Sequence, residues 1–146
     1  MTDYMQTPEE TAKQPDAYKV FEEIADGDVR VYNFLVSFWN FEHVFDDLLD
    51  NSTMPVEKKE MAMKALHDFV VDLLLNPFVR QHASELRALM VSAITRNMDG
   101  DSIKQKELSP AVRCGDVDLI VHVAYLAGGW AKMREISKRR EYDTTD

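Results

Sequence analysis

Apolar residues recur at helical spacing along most of this chain. Between residues 29 and 49 they fall every three or four positions, which is typical of an amphipathic helix: Val31, Phe34, Leu35, Phe38, Phe41, Phe45, Leu48 and Leu49. The same spacing predicts a short helix over 16–25 and long helices over 55–75, 77–97 and 116–140. The pattern therefore predicts an all-α fold, with four principal helices in a bundle plus a short N-terminal helix.

Helix-breaking residues separate these segments. Asp26-Gly27-Asp28 combines a left-handed stop with a cap for the next helix. Asn76-Pro77 predicts a sharp corner, because a residue before proline avoids helical geometry; a kinked continuous helix is the alternative. Gly128-Gly129 is the weak point of the last helix, since glycine costs about 1 kcal/mol in a helix interior.

The apolar face of the helix over 55–75 predicts how this helix packs. The helix over 55–75 is expected to turn a broad apolar arc inward: Ala62, Met63, Leu66, Phe69, Val70, Leu73 and Leu74.

Residues 119–126 are apolar nearly all round, which suits either a central helix or a buried strand. A small α+β domain in which 29–36 and 117–125 pair as strands is thus the alternative fold. The helix is favoured because 130–140 continues as good helix-forming sequence.

Composition narrows the class of protein. The length of 146 residues predicts one domain, over 16–140, with a flexible arm over 1–15 and a tail over 141–146. A lone cysteine, Cys114, and no apolar run near the ~20 residues that span a bilayer lead us to expect a cytoplasmic protein with no membrane contact. Residues 1–60 hold 14 acidic and 5 basic residues, and so carry the whole net charge of −9. This acidic balance makes nucleic acid an unlikely partner.

The helix over 29–49 carries a second apolar stripe on another face, formed by Val29, Tyr32, Val36, Trp39 and His43. A surface helix normally buries a single arc. Either this helix is covered on both sides by its own chain, which we favour, or the second stripe meets another chain. Because Tyr and Trp anchor interfaces, Tyr32, Val36, Trp39 and His43 are the interface candidates.

Two polar residues fall on apolar faces. Glu42 lies inside the stripe of its helix, and His82 lies inside the stripe of the helix over 77–97. A buried carboxylate needs a partner, water or a proton, so the two side chains are a candidate buried pair. A structural hydrogen bond is the favoured interpretation, and an acid/base or metal-ligand pair in a helical bundle is the alternative. Two ligands are too few for a closed metal site, so we assign no metal and no cofactor.

The dipeptide His67-Asp68 resembles the His-Asp pair of the HD-type metal phosphohydrolases. That family also uses an upstream histidine and a downstream aspartate, for which His43 and Asp118 stand at tolerable distances. The resemblance implies a catalytic metal. However, the midpoint between His67 and Asp68 faces away from the apolar stripe of their helix, which would place that metal on the outside of the domain.

The C-terminal segment is basic, with Lys132, Arg134, Lys138, Arg139 and Arg140. These charges suit a helix C-terminus or a contact with nucleic acid, and the interleaved Glu135 and Glu141 weaken the second interpretation. Catalytic motifs such as a phosphate-binding loop are absent from the sequence. We therefore expect a non-catalytic interaction or regulatory module that binds a protein partner or self-associates. A metal-binding or metal-dependent hydrolase-like bundle and a nucleic-acid-associated accessory or inhibitor protein are the alternatives.

Overall fold

The computed structural model describes residues 15–50, 55–102 and 115–139, and these ranges contain helices and no strand. In chain order the helices are α1 (Pro15–Ala25), α2 (Val29–Asp50), α3 (Val56–Leu75), α4 (Pro77–Gln81), α5 (Ala83–Ser102) and α6 (Gly115–Ser137). The all-α prediction is confirmed. The α+β alternative is wrong, because 29–36 and 117–125 both lie within helices.

The long helices contact one another mainly as two pairs, α2 with α3 and α5 with α6. The short helix α1 packs against both α2 and α6 and so joins the pairs, whereas the direct contact between α2 and α6 is small. A four-helix bundle in the strict sense is therefore not established. The predicted arm over 1–15 and the tail over 141–146 lie outside the described residues, except for Pro15, which begins α1.

The turn between α1 and α2 follows its sequence signal. Asp26 and Gly27 have φ angles of +47° and +85°, so the chain leaves α1 through left-handed backbone. Asp28 then accepts a hydrogen bond from the backbone N–H of Arg30 at 3.0 Å. The Arg30 side chain also donates to the Asp28 carboxylate, and this bond lowers the pKa of Asp28 to about 2. The carboxylate is thus held charged at the start of α2, where the helix dipole favours it.

The predicted corner after α3 is also confirmed. Asn76 is extended, with φ −72° and ψ 117°, as expected of a residue before proline. Its Oδ1 atom accepts a hydrogen bond of 2.9 Å from the backbone N–H of Phe78 and so caps α4. Its Nδ2 group donates to the carbonyl oxygen of Arg30 and to Asp72 Oδ1, each at 2.8 Å. One buried amide therefore fixes the corner against α2.

Two details of the predicted helices are wrong. The segment predicted as one helix over 77–97 is interrupted at His82, which has φ −114° and ψ 27°, and the following helix continues to Ser102. The inward face of α3 is narrower than expected: Ala62, Ala65 and Phe69 are buried. Met63, Val70 and Leu74 are exposed instead.

The core lies along α2 and is closed by α1, α4, α5 and α6. Its largest fully buried side chains belong to these elements: Phe21, Ile24, Phe34, Leu35, Leu86, Leu119 and Ile136. Phe34 packs within ring-contact distance of Phe78, and Phe38 packs against Phe69. Burying aromatic side chains of this size contributes strongly to stability. No helix in the described ranges is both long and apolar enough to cross a membrane.

Candidate functional site

The second stripe of α2 lies mostly inside the domain. Val36 and Trp39 are 2 % and 3 % exposed, and the Trp39 ring meets the Phe21 ring of α1 edge-on at 5.6 Å. Tyr32 is half-buried against the core, and His43 Nδ1 lies 2.8 Å from the Trp39 carbonyl oxygen, as for an N–H donor. The chain itself thus buries Val36 and Trp39, the centre of the stripe. Tyr32 and His43 keep partial exposure, and the interface expected there stays a prediction.

Glu42 and His82 occupy different environments. Glu42 is 5 % exposed, whereas His82 is half-buried in the turn after α4, with its ring 5.0 Å from that of Phe78. Glu42 lies on α2, whereas the ring contact of His82 is with Phe78 of α4. The pairing of Glu42 with His82 stays a prediction.

The histidines and carboxylates of the HD-like pattern are dispersed. His67 Nδ1 lies 3.3 Å from Asp68 Oδ1 on the exposed surface of α3, and Lys64 pairs with the same carboxylate at 2.8 Å. His43 is bound to its own helix, and Asp118 pairs with Arg96 at 3.1 Å. Among the described residues, no group of three His, Cys, Asp or Glu side chains is arranged to hold a metal ion.

The basic stretch is partly used within the fold. The Arg139 guanidinium pairs with Glu23 of α1, and Arg134 donates to the Ser137 hydroxyl at 3.0 Å. Arg140 lies outside the described residues. Two of the basic residues, Arg134 and Arg139, are therefore engaged within the protein. The described part of the stretch does not form one uniform cationic face.

An exposed apolar surface lies between α5 and α6, away from the sites that the sequence predicted. Leu89, Val117, Val121, Tyr125, Trp130 and Met133 line a cavity of about 680 Å³, together with the polar residues Asp118, His122 and Ser137. We call this the α5–α6 groove. Trp130 is 69 % exposed and Tyr125 is also exposed. An exposed tryptophan beside an apolar cavity is unusual on a protein surface and marks a candidate binding site.

The position of Trp130 follows from a break in α6. Gly129 has φ 83° and ψ −172°, a conformation essentially restricted to glycine. The break also brings the chain close to itself: a Cβ atom on Gly128 would lie 2.7 Å from Lys132 Cβ. The Gly-Gly pair thus allows α6 to change direction directly before Trp130, and the side chains on both sides of the break line the groove.

Two polar residues of the groove, His122 and Asp118, each pair with a residue of α5. His122 Nε2 lies 2.6 Å from Glu85 Oε2, which joins α6 to α5. Asp118 is held by Arg96, a second α5–α6 link. The centroid of the His122 ring also lies 6.0 Å from that of the Tyr125 ring. The free surface that remains in the groove is mainly apolar and aromatic.

Sequence reasoning missed this groove, although it located the break at Gly128-Gly129. The available signal was Trp130 directly after two glycines, in a helix that is apolar nearly all round. Comparison with family models, with curated proteins and with solved structures found no match to this chain. The candidate site therefore rests on its own geometry.

Proposed function

We propose that this protein is a non-catalytic helical interaction module that binds an apolar, helical segment of a partner protein in the α5–α6 groove. The observation that carries the proposal is the exposed Trp130 side chain, set beside Tyr125 and Met133 at an apolar cavity. Tryptophan and tyrosine are the residues that most often dominate binding energy at protein interfaces. Methionine adapts its shape to different apolar partners.

The chemistry of the groove favours a peptide over a small polar ligand. Small-molecule sites place a few polar groups so that they converge on the ligand. Here the polar side chains of His122 and Asp118 are already paired with Glu85 and Arg96. What remains for a ligand is a mainly apolar and aromatic surface, formed by α6 together with Leu89 of α5. The matching partner is an amphipathic helix with apolar residues at i, i+3 or i+4, and i+7.

The cavity of about 680 Å³ is also suited to side chains rather than to a whole domain. It has room for two or three large apolar side chains from one face of a helix. Trp130 would then cover such side chains and exclude water around them. The proposal thus assigns specificity to apolar spacing in the partner, and not to charge.

Tryptophan fluorescence tests the proposal directly. The chain has two tryptophans, of which Trp39 is buried and Trp130 is exposed. In a Trp39→Phe background, Trp130 is the only indole and reports on the groove. We expect an idealised amphipathic Leu–Lys helical peptide to shift its emission to the blue in a saturable way. A peptide of the same composition in scrambled order should give no saturable shift.

Two matched variants locate the binding. Tyr125→Glu places a charge in the groove and should weaken peptide binding at least about tenfold, or about 1.4 kcal/mol. Val91→Glu places the same charge at an exposed valine that does not line the groove, and should bind as the parent does. Binding that is equal in both variants, or no response of Trp130 to the patterned peptide, would refute the proposal.

A further inference from the structure

A polar cavity of about 440 Å³ lies where α2, α3 and the start of α4 meet. Arg30 and Asn33 line it from α2, and Lys64, Asp68 and Asp72 line it from α3. The three residues of α3 follow one another at intervals of four, so they lie on one face of that helix. None of these residues lines the α5–α6 groove, so the cavity is a separate site.

The charged groups around this cavity are of both signs. Arg30 and Lys64 are basic, whereas Asp68 and Asp72 are acidic. A cavity on which a few polar groups converge is typical of a small-molecule site. A simple anion would meet the two aspartates there, and a simple cation would meet the arginine and the lysine, and contacts between like charges are unfavourable. The arrangement therefore favours a ligand that carries both a positive and a negative group.

Both basic side chains keep hydrogen-bond donors for a ligand. Arg30 donates to the Asp28 carboxylate through Nε and Nη2, and its guanidinium has further N–H groups that this pair does not use. Lys64 donates to Asp68 at 2.8 Å, and an ammonium group has more than one N–H to give. Both side chains are about half-exposed. Because charged donors of this kind bind carboxylates strongly, Arg30 and Lys64 are placed to receive a carboxylate of the ligand.

Asp72 is the acidic group best suited to the positive end of the ligand. Asp68 is already paired with Lys64. Burial raises the pKa of Asp72, against the hydrogen bonds from Asn76 and Ser37 that lower it. An ammonium group in the cavity would supply a counter-charge and so favour the ionised form of this carboxyl group. Each carboxylate oxygen can accept more than one hydrogen bond, so the contacts with Asn76 and Ser37 can remain.

The cavity also has an apolar wall. Val71, Leu75 and Pro77 line it. Val71 and Leu75 are 37 % and 69 % exposed, although both are large apolar residues. Covering them with an apolar group of a ligand removes this surface from water, which is favourable. The ligand that matches all three walls therefore carries an apolar group beside its two charges.

We propose that this cavity binds a free amino acid with an apolar side chain. The carboxylate group of the amino acid contacts Arg30 and Lys64, its ammonium group contacts Asp72, and its side chain covers Val71 and Leu75. A ligand with about ten non-hydrogen atoms at a half-exposed site should bind with a Kd on the order of 1 mM.

Titration of the isotope-labelled full chain with L-leucine, followed by amide chemical shifts, tests the proposal. N-acetyl-leucine keeps the carboxylate but lacks the ammonium group, and leucinamide keeps the ammonium group but lacks the carboxylate. Each should bind at least about tenfold more weakly than leucine, because each loses a charged hydrogen bond. Glycine lacks the apolar side chain and should also bind more weakly. Absence of saturable shifts with leucine, or binding of any of these three compounds as tight as that of leucine, would overturn the proposal.

Two pairs of variants locate the binding. Asp72→Asn removes the acidic group and should weaken leucine binding at least about tenfold. Lys64→Gln should weaken it by a smaller factor, because Arg30 still contacts the carboxylate. Glu57→Gln and Lys59→Gln make the same changes of charge at exposed positions of α3 outside the cavity, and should bind leucine as the parent does. Urea unfolding should confirm that all four variants are folded. Parent-like affinity of folded Asp72→Asn, or equal weakening in Glu57→Gln, would contradict the assigned site.

Discussion

The Ser37 hydroxyl lies 3.2 Å from Asp72 Oδ2 and 3.1 Å from the carbonyl oxygen of Phe34, so one hydroxyl group faces two acceptors. It has a single proton to donate. If Asp72 is protonated, its own hydroxyl can donate to Ser37, and Ser37 can then donate to Phe34. Burial raises the pKa of Asp72, against the hydrogen bonds from Asn76 and Ser37 that lower it. The contact between α2 and α3 is therefore best satisfied when this carboxyl group is neutral.

Asp72→Asn should remove the part of the pH dependence of the free energy of unfolding that comes from ionisation of Asp72. Because the folded pKa of Asp72 lies above its ordinary value of 3.8, the folded state holds this proton to higher pH than the unfolded chain does. Its contribution is thus greatest below that value and declines as the pH rises through the folded pKa. An asparagine keeps a donor for Ser37 and an acceptor for Asn76 at every pH. We expect the free energy of unfolding of Asp72→Asn, relative to the parent, to increase from about pH 4 upward.

Urea unfolding at a series of pH values measures this difference. Glu57→Gln, also on α3, controls for the loss of one negative charge at an exposed position. A constant difference between Asp72→Asn and the parent across the series would contradict the prediction.

Asn76→Ala should destabilise the protein by about 2–3 kcal/mol. The substitution removes the cap of α4, which is worth about 1 kcal/mol. It also removes the hydrogen bonds that the Asn76 amide donates to the Arg30 carbonyl oxygen and to Asp72, together worth about 1–2 kcal/mol. Asn76→Ser keeps a capping oxygen but loses the amide donor, and should lie between the parent and Asn76→Ala in urea unfolding. A loss below about 0.5 kcal/mol for Asn76→Ala would show that the corner does not depend on this amide.

Gly129→Ala should lower stability even though alanine is the better helix former. Helix propensity alone predicts a gain of about 1 kcal/mol. The positive φ of Gly129 imposes a strain of about 1–3 kcal/mol on any residue with a Cβ atom, which offsets or exceeds that gain. Ala127→Gly, on an exposed helical position two residues earlier, should follow propensity and lose about 1 kcal/mol. Urea unfolding measures both variants. If it shows that Gly129→Ala stabilises the protein, α6 runs straight and the groove geometry is incorrect.

Trp39→Phe should cost little compared with Trp39→Ala. The indole Nε1 atom of Trp39 is buried and has no hydrogen-bond partner in the described structure. Phenylalanine retains the ring contact with Phe21 and removes this donor, so the expected loss is below about 1.5 kcal/mol. Alanine leaves a cavity and should cost about 3–5 kcal/mol. Thermal unfolding by circular dichroism gives both values, and similar losses for the two variants would contradict this account.

Local signals in the sequence predicted most helix boundaries correctly. The Asp26-Gly27-Asp28 turn and the Asn76-Pro77 corner depend on the φ preferences and capping groups of those residues, which act over a few positions. The interruption at His82 had no such signal, because neither glycine nor proline stands there. The backbone angles of His82, φ −114° and ψ 27°, are not contained in the apolar periodicity of the segment.

Burial was harder to predict where a helix is apolar on more than one side. In α3 the sequence does not indicate whether Ala62 and Ala65 or Met63 and Val70 face inward. In the structure Ala62 and Ala65 face inward, because their small side chains let α3 lie close to α2. The groove was missed for a related reason: the direction of Trp130 depends on the backbone of Gly129, and hydrophobic periodicity does not contain that angle.

The bridging position of α1 has a consequence for the order of assembly. The pairs α2 with α3 and α5 with α6 join neighbours along the chain, so each can form as a local hairpin of helices. The contact of Glu23 with Arg139 spans 116 residues, and closing so long a loop costs considerable chain entropy. Contacts of this kind slow folding. We therefore expect the two hairpins to form early and the docking of the first helix onto the last to complete the native state.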